Sequence, residues 1–195
     1  NLNLLKIIYL INFNMKLNQF DYFKDISSLN LNLIEAESKL LKFKIGQPIS
    51  SKSEISSNVL IILKGQARLV GTENNSVTTI AKLAPGSIIG LCSLIRAAPC
   101  EEIAASTEVT GISIPDELII KLYSEEETFR HFCDTNLFPA ELLSIAEYLN
   151  ESNIKSDIKL IQIFNSLLKS SRLQVIDSES SLKKEEEFIF MTASH

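Results

Sequence analysis

Three cysteines and two histidines in 195 residues leave little from which to build a metal centre or a nucleophilic site. Cys92, Cys100, His131 and Cys133 include no Cys-x-x-Cys knuckle, so no metal site is expected and the thiols read as small buried side chains. His131 and Cys133 stand two apart on an expected helix and face different directions, a poor arrangement for a catalytic dyad. The chain has no Gly-x-Ser-x-Gly, no P-loop and no His-Glu-x-x-His. No catalytic residue, and hence no enzyme, is expected. An odd number of cysteines without paired spacing favours reduced thiols and a cytoplasmic location. Positive charge is also in short supply: 19 Lys and Arg face 24 Asp and Glu, a net −5. No basic field draws nucleic acid or anionic lipid.

A long apolar run is absent too. Leu2 to Met15 is strongly apolar, but Asn3, Lys6 and Asn12 interrupt it, and it falls short of the roughly 20 residues of a spanning helix. It has no small-residue cleavage site or strongly basic start. Residues 1–19 are expected to be an amphipathic leader, or read-through upstream of a start at Met15. What remains is ordinary globular material, 45 % hydrophobic and 22 % charged, enough for one core with a small appendage.

The informative part of that material lies between Leu60 and Ser113. Short β-branched runs are punctuated by Gly65, Gly71, Gly86 and Gly90, where a reversing chain would use positive φ, with a polar turn over Gly71 to Ser76. Strands are predicted at Lys39–Ile45, with Leu41, Phe43 and Ile45 on one face, and at Val59–Leu63, Gln66–Val70, Val77–Leu83 and Ile103–Ile114. The last should bend near Thr107 to Glu108. Residues 20–38 read as a helix with Phe20, Phe23, Ile26 and Leu29 repeating at three. Leu91 to Ala98 should form a short helical turn stopped by Pro99.

Beyond Pro115 the pattern turns helical. Asp116 is the expected N-cap of one helix and Ser124 to Glu127 a capping box opening another. Phe138–Leu149 and Ile158–Leu168 complete a helical tail over residues 124–170, with Ile161, Phe164, Leu167 and Leu168 as the stripe of the last helix. Residues 171–195 read as a linker, strands at Arg172–Ile176 and Phe188–Met191 flanking a charged stretch, and the start of a further module.

Lys64-Gly65 followed by alternating apolar residues, Gly46-Gln47-Pro48-Ile49, Pro85-Gly86 and Ile89-Gly90 give residues 20–123 a resemblance to the cyclic nucleotide-binding domain. That resemblance implies a mainly β fold with flanking helices, an antiparallel β-roll of double-stranded β-helix type, in which Gly46, Gly65, Pro85 and Gly86 make structural turns. It also implies a phosphate cassette, here Gly90, Leu91, Cys92, Ser93 and Arg96, continued by Glu101, Glu102 and Ile103. In the family a short helix offers N–H groups to the cyclic phosphate, a glutamate holds the ribose, and an arginine neutralises the phosphate. Here Leu91 stands at the glutamate place and Glu101-Glu102 where the arginine would be. The acidic pair should repel a phosphate, and Arg96 is expected to pair with Glu101 or Glu102 on a solvated rim. No cofactor, and no tight cyclic nucleotide site, is expected, although the helical turn could offer Leu91 to Ser93 N–H groups to another small anion.

Gly90, Leu94, Ile95, Arg96, Pro99, Cys100, Glu101, Ala105, Ser106, Thr107 and Val109 further resemble the N-terminal modules of cyanobacterial peptidase-type ABC exporters. This resemblance implies a non-catalytic regulatory or interaction module. Its partners would be the other domains of the exporter or a partner protein, at the inner face of the membrane, with no membrane span in this segment. A stand-alone small-ligand sensor is the alternative. A transcription regulator of the catabolite-activator type fits less well. From Phe138 onward six Lys and Arg face nine Asp and Glu, a net −3, and the last glycine is Gly111, so no DNA-reading tail is expected.

Overall fold

The structure, a computed structural model, describes residues 17–152 and 158–173. The chain enters through two 3₁₀ turns, Leu17–Gln19 and Asp21–Phe23, and helix α1, Ser28–Glu37. Strands β1 (Lys39–Phe43), β2 (Pro48–Ser50), β3 (Asn58–Lys64), β4 (Ala67–Glu73), β5 (Ser76–Leu83) and β6 (Ile88–Ile89) follow. Then come helix α2 (Leu91–Ile95) and strands β7 (Ile103–Ala105) and β8 (Val109–Pro115). Helices α3 (Asp116–Glu125), α4 (Glu127–Thr135), α5 (Pro139–Ser152) and α6 (Leu160–Ser170) close the described chain. Among the described residues no helix is long and apolar enough to cross a membrane.

The strands form two four-stranded antiparallel sheets, ordered β1-β8-β3-β6 and β2-β7-β4-β5. This is the expected antiparallel β-roll with flanking helices. Strand β3 explains its own composition. Val59 to Ile62 are four successive buried residues, because one face lines the roll and the other is covered by helix, so the segment is continuously apolar rather than alternating.

Strand β4 runs two residues past Gly71, which has no positive φ. The reversal falls instead on Asn74-Asn75, both at positive φ, the geometry of a tight hairpin turn. A register shift between Leu69 and Val70 breaks the alternation, so that Leu69, Val70 and Gly71 are all buried. A Cβ on Gly71 would come within 2.9 Å of Leu160 and 3.0 Å of Leu143; the glycine is there to let α5 and α6 lie on the sheet. The expected turns at Gly46, Gly65 and Gly86 do take positive φ, and Pro85 occupies the second position of the Ala84–Ser87 turn.

Several local expectations change. The first helix begins only at Ser28, capped by the Ser27 hydroxyl accepting from Asn30 N–H, because Asp25 at φ 64° interrupts the earlier stretch. Leu29, in α1, is exposed; Ile45 is exposed and Leu41 partly so, since β1 is an edge strand that ends at Phe43. Asp116 is the first helical residue rather than the cap, and its Oδ1 accepts from the Glu117 N–H. The capping box at Ser124 does not form. That residue sits in the last turn of α3 and donates its hydroxyl to the Lys121 carbonyl, while Glu126 stands at the N-cap position of α4 without a side-chain cap bond and accepts from Ser27 and Asn30 instead. In α6 the buried stripe is Leu160 and Phe164, with Leu168 exposed. Pro48–Ser50 and Ile88–Ile89 are strands too short for periodicity to reveal. Residues 1–16 of the expected 1–19 leader, all of the expected strand Phe188–Met191 and all of Arg172–Ile176 but its first two residues, which are not in a strand, lie outside the described residues.

Candidate functional site

The cassette starts where β6 hands over to α2. Gly90 links the two at φ 87°, and a Cβ there would sit 3.1 Å from the Asn58 carbonyl oxygen, so only glycine suits both the angle and the space. Its N–H and that of Ser93 then point into one small space. The Glu101 carboxylate fills it: Oε1 accepts from Gly90 N–H and Oε2 from Ser93 N–H, each at 3.1 Å. Glu101 is only 5 % exposed. Burial raises its carboxyl above the ordinary value, and the Ser93 and Gly90 amides pull part of that back. The expected repulsive rim is therefore an internal anion, because the chain turns Glu101 inward at the point where β7 begins.

The neighbouring residues hold that turn. Ser50 Oγ donates to the Glu101 carbonyl at 2.9 Å, and Val70 N–H to the Glu102 carbonyl at 3.0 Å. The Glu102 carboxylate faces away and accepts from Lys52 N–H at 3.0 Å. Cys100 N–H donates to Ser93 Oγ at 3.2 Å. The Cys92 and Cys100 sulfurs lie 3.3 Å apart. Leu91 and Ile103 are core residues of the roll, so Leu91, at the place where the family resemblance puts a ribose-holding glutamate, is apolar packing.

Arg96 does not meet Glu101 or Glu102. Its Nε donates to Glu141 Oε1 at 2.7 Å and its Nη2 to the carbonyls of Cys133 and Asn136 at 3.3 and 3.4 Å. The guanidinium also lies 5.7 Å over the Phe138 ring. Burial works against the charge, but the hydrogen bond and field of Glu141 outweigh it and hold the guanidinium above its usual value. Glu141 Oε2 accepts from Phe138 N–H at 3.0 Å, so one carboxylate starts α5 and anchors the cassette helix. A second α5 carboxylate, Glu147, accepts from Thr72 N–H and pairs with Lys52. The cassette contacts of Glu141 and Glu147 carry no local sequence signal: Arg96 lies 45 residues from Glu141 and Thr72 lies 75 residues from Glu147.

Residues 40–126 match the family model described as Cyclic nucleotide-binding domain. Among solved structures, one similar fold is a putative cyclic nucleotide-binding protein from Geobacter metallireducens, 19 % identical, with TM-score 0.51, covering 60 % of this chain and 86 % of that one. A second is the regulatory subunit of a cAMP-independent protein kinase A from Trypanosoma cruzi bound to guanosine. It is 14 % identical with TM-score 0.51, and the match covers 66 % of this chain and 48 %, about half, of that one. The sensor domain of the transcriptional regulator DNR from Pseudomonas aeruginosa is 10 % identical with TM-score 0.55, covering 79 % of this chain and 97 % of that one. No curated protein matches. At these identities the likeness is one of fold, and the β-roll of residues 40–126 is of the cyclic nucleotide-binding type.

Proposed function

We propose that this chain, built on a β-roll of the cyclic nucleotide-binding type, is a non-catalytic regulatory or interaction module that carries its own carboxylate where the fold would take a cyclic phosphate. The observation behind this reading is the buried Glu101 on the Gly90 and Ser93 N–H groups. A cyclic nucleotide entering the roll would find both donors taken, a negative charge in place of a positive one, and Leu91 where the ribose contact should be. Each missing charge-assisted hydrogen bond forfeits about 1.5–3 kcal/mol, so two weaken binding by roughly two to four powers of ten. Calorimetric titration of the full chain with cyclic AMP and cyclic GMP is expected to give no measurable heat of binding. A dissociation constant of about 1 µM or tighter for either nucleotide overturns the proposal.

The setting we propose is an ABC-type exporter, with this segment on the cytoplasmic side and the other exporter domains as partners. The run Gly90, Leu94, Ile95, Arg96, Pro99, Cys100 and Glu101 supports it. Here it builds the self-filled cassette and its Arg96 anchor, rather than a ligand site. An open reading frame continuing past His195 into membrane spans and a Walker motif is the expected gene structure; an early stop overturns the exporter setting. The second reading, a stand-alone sensor of a small ligand, draws on the guanosine-bound kinase subunit and the DNR sensor domain, which share the fold. A transcription regulator is disfavoured by the net −3 of the chain from Phe138 onward.

A further inference from the structure

The Sγ atoms of Cys92 and Cys100 are 3.3 Å apart, on the two sides of the cassette. Cys92 sits in the first turn of α2 and is buried; Cys100 directly precedes Glu101 and is half-buried. The Cys100 sulfur also lies 3.5 Å from Ser93 Oγ, and its own N–H is held by that hydroxyl. Both thiols are thus positioned by the same backbone that binds the Glu101 carboxylate. Closing the gap to a sulfur–sulfur bond of about 2.05 Å takes little more than 1 Å of movement. Cys133 is buried as well, but no thiol contact ties it to either of them.

We propose that Cys92 and Cys100 are a thiol-based redox site, oxidised to an intramolecular disulfide by a hydroperoxide. Cys100, the more accessible, is the attacking sulfur. The hydrogen bond it shares with Cys92, assisted by Ser93, holds its thiol below the ordinary value, against burial and the nearby Glu101 and Glu141 charges. The same pairing, with burial, raises Cys92, and burial, helped by the Asp134 charge and opposed by Arg96, pushes Cys133 up to about 12. In the first step the Cys100 thiolate attacks one peroxide oxygen. The O–O bond breaks, an alcohol (water, if the oxidant is hydrogen peroxide) leaves with a proton, and Cys100 becomes a sulfenic acid. In the second step the Cys92 sulfur attacks the Cys100 sulfur. The S–S bond forms, the S–O bond breaks, and the departing hydroxide takes the Cys92 proton as water. Two thiols lose two electrons, and the peroxide gains them.

The disulfide would join the first turn of α2 to the residue before Glu101, so the carboxylate could no longer swing away from Gly90 and Ser93. Oxidation therefore seals the cassette, and reduction leaves it free to open.

The test uses the full chain. Reduced protein is exposed to hydrogen peroxide, quenched, denatured and alkylated with a maleimide before mass spectrometry. The expected result is one maleimide adduct instead of three, a mass lower by two hydrogens in the sample left unalkylated, and a proteolytic fragment linking Cys92 to Cys100, all reversed by dithiothreitol. Three alkylated thiols, or a link through Cys133, overturn the proposal. The Cys92→Ser variant is expected to accumulate a dimedone-reactive Cys100; a dimedone-reactive Cys92 in Cys100→Ser, with none at Cys100 in Cys92→Ser, overturns the assigned order. If either variant fails to fold, the link in the unmodified chain still decides. Hydrogen exchange at Gly90 and Ser93 is expected to slow about tenfold on oxidation, and unchanged exchange overturns the sealing of the cassette.

Discussion

At Glu101 two physical effects oppose each other, and their balance sets how the residue behaves. Burial penalises the charge, while two backbone donors reward it. Removing the side chain in Glu101→Ala leaves both N–H groups buried without an acceptor, at about 1–3 kcal/mol each; urea unfolding should show a loss of about 2–5 kcal/mol. The pH dependence has a definite sign. The folded carboxyl is raised above its ordinary value of 4.5, so the folded state holds this proton more tightly than the unfolded state does. The contribution of Glu101 to stability is therefore complete below the ordinary value and declines as pH rises through the raised one. Glu101→Gln cannot ionise, so the urea midpoint of the unmodified protein should fall relative to that of the variant as pH rises across that window. A difference independent of pH would show that the folded carboxyl is not raised. Half-buried Glu126 runs the other way: the Ser27 and then Asn30 hydrogen bonds lower its carboxyl, so its share is present above the ordinary value and fades on acidification.

At the scale of elements, the cassette helix is joined to the helical tail by one ion pair. Arg96 and Glu141 are only 12 % and 19 % exposed at the side chain, so water screens them poorly and neither charge is comfortable alone. Arg96→Ala and Glu141→Ala are each expected to cost about 2–4 kcal/mol. The double variant should cost less than their sum, with a coupling of about 1–3 kcal/mol; additive losses in urea unfolding would mean that the two side chains act independently. Arg96→Lys should recover only part of the loss, because a single ammonium cannot serve Glu141 and the Cys133 and Asn136 carbonyls together.

Over the whole molecule, one apolar cluster runs from Phe23 and Ile34 through the roll residues Ile61, Leu69 and Ile89 to Phe129, Leu143 and Phe164. The helices cover this cluster rather than forming a core of their own. Roll and helices should then unfold as a unit. Far-ultraviolet circular dichroism and hydrogen exchange of β3 and α5 amides are expected to report a single transition. An α5 that opens at a clearly lower free energy than β3 would show a separable tail.

Between Leu60 and Ser113 the architecture could be read from the chain, because strand spacing and turn chemistry are local. β-branched runs and Pro85-Gly86 mark strands and turns wherever they occur. The chain also showed that Leu91 and Glu101-Glu102 depart from the phosphate-binding pattern. It could not show where Glu101 points, since an acidic residue in a loop before a strand is usually solvated, and inward rotation becomes favourable only when folding brings Gly90 and Ser93 N–H groups to meet it. The partner of Arg96 is hidden for the same reason: proximity in sequence favours Glu101 or Glu102, while the fold delivers Glu141 from 45 residues away. Gly71 looked like a turn until two helices were placed on it. Local geometry thus follows from neighbouring residues, whereas the partners of buried charges and the space for a glycine depend on long-range packing, and only the tertiary structure decides them.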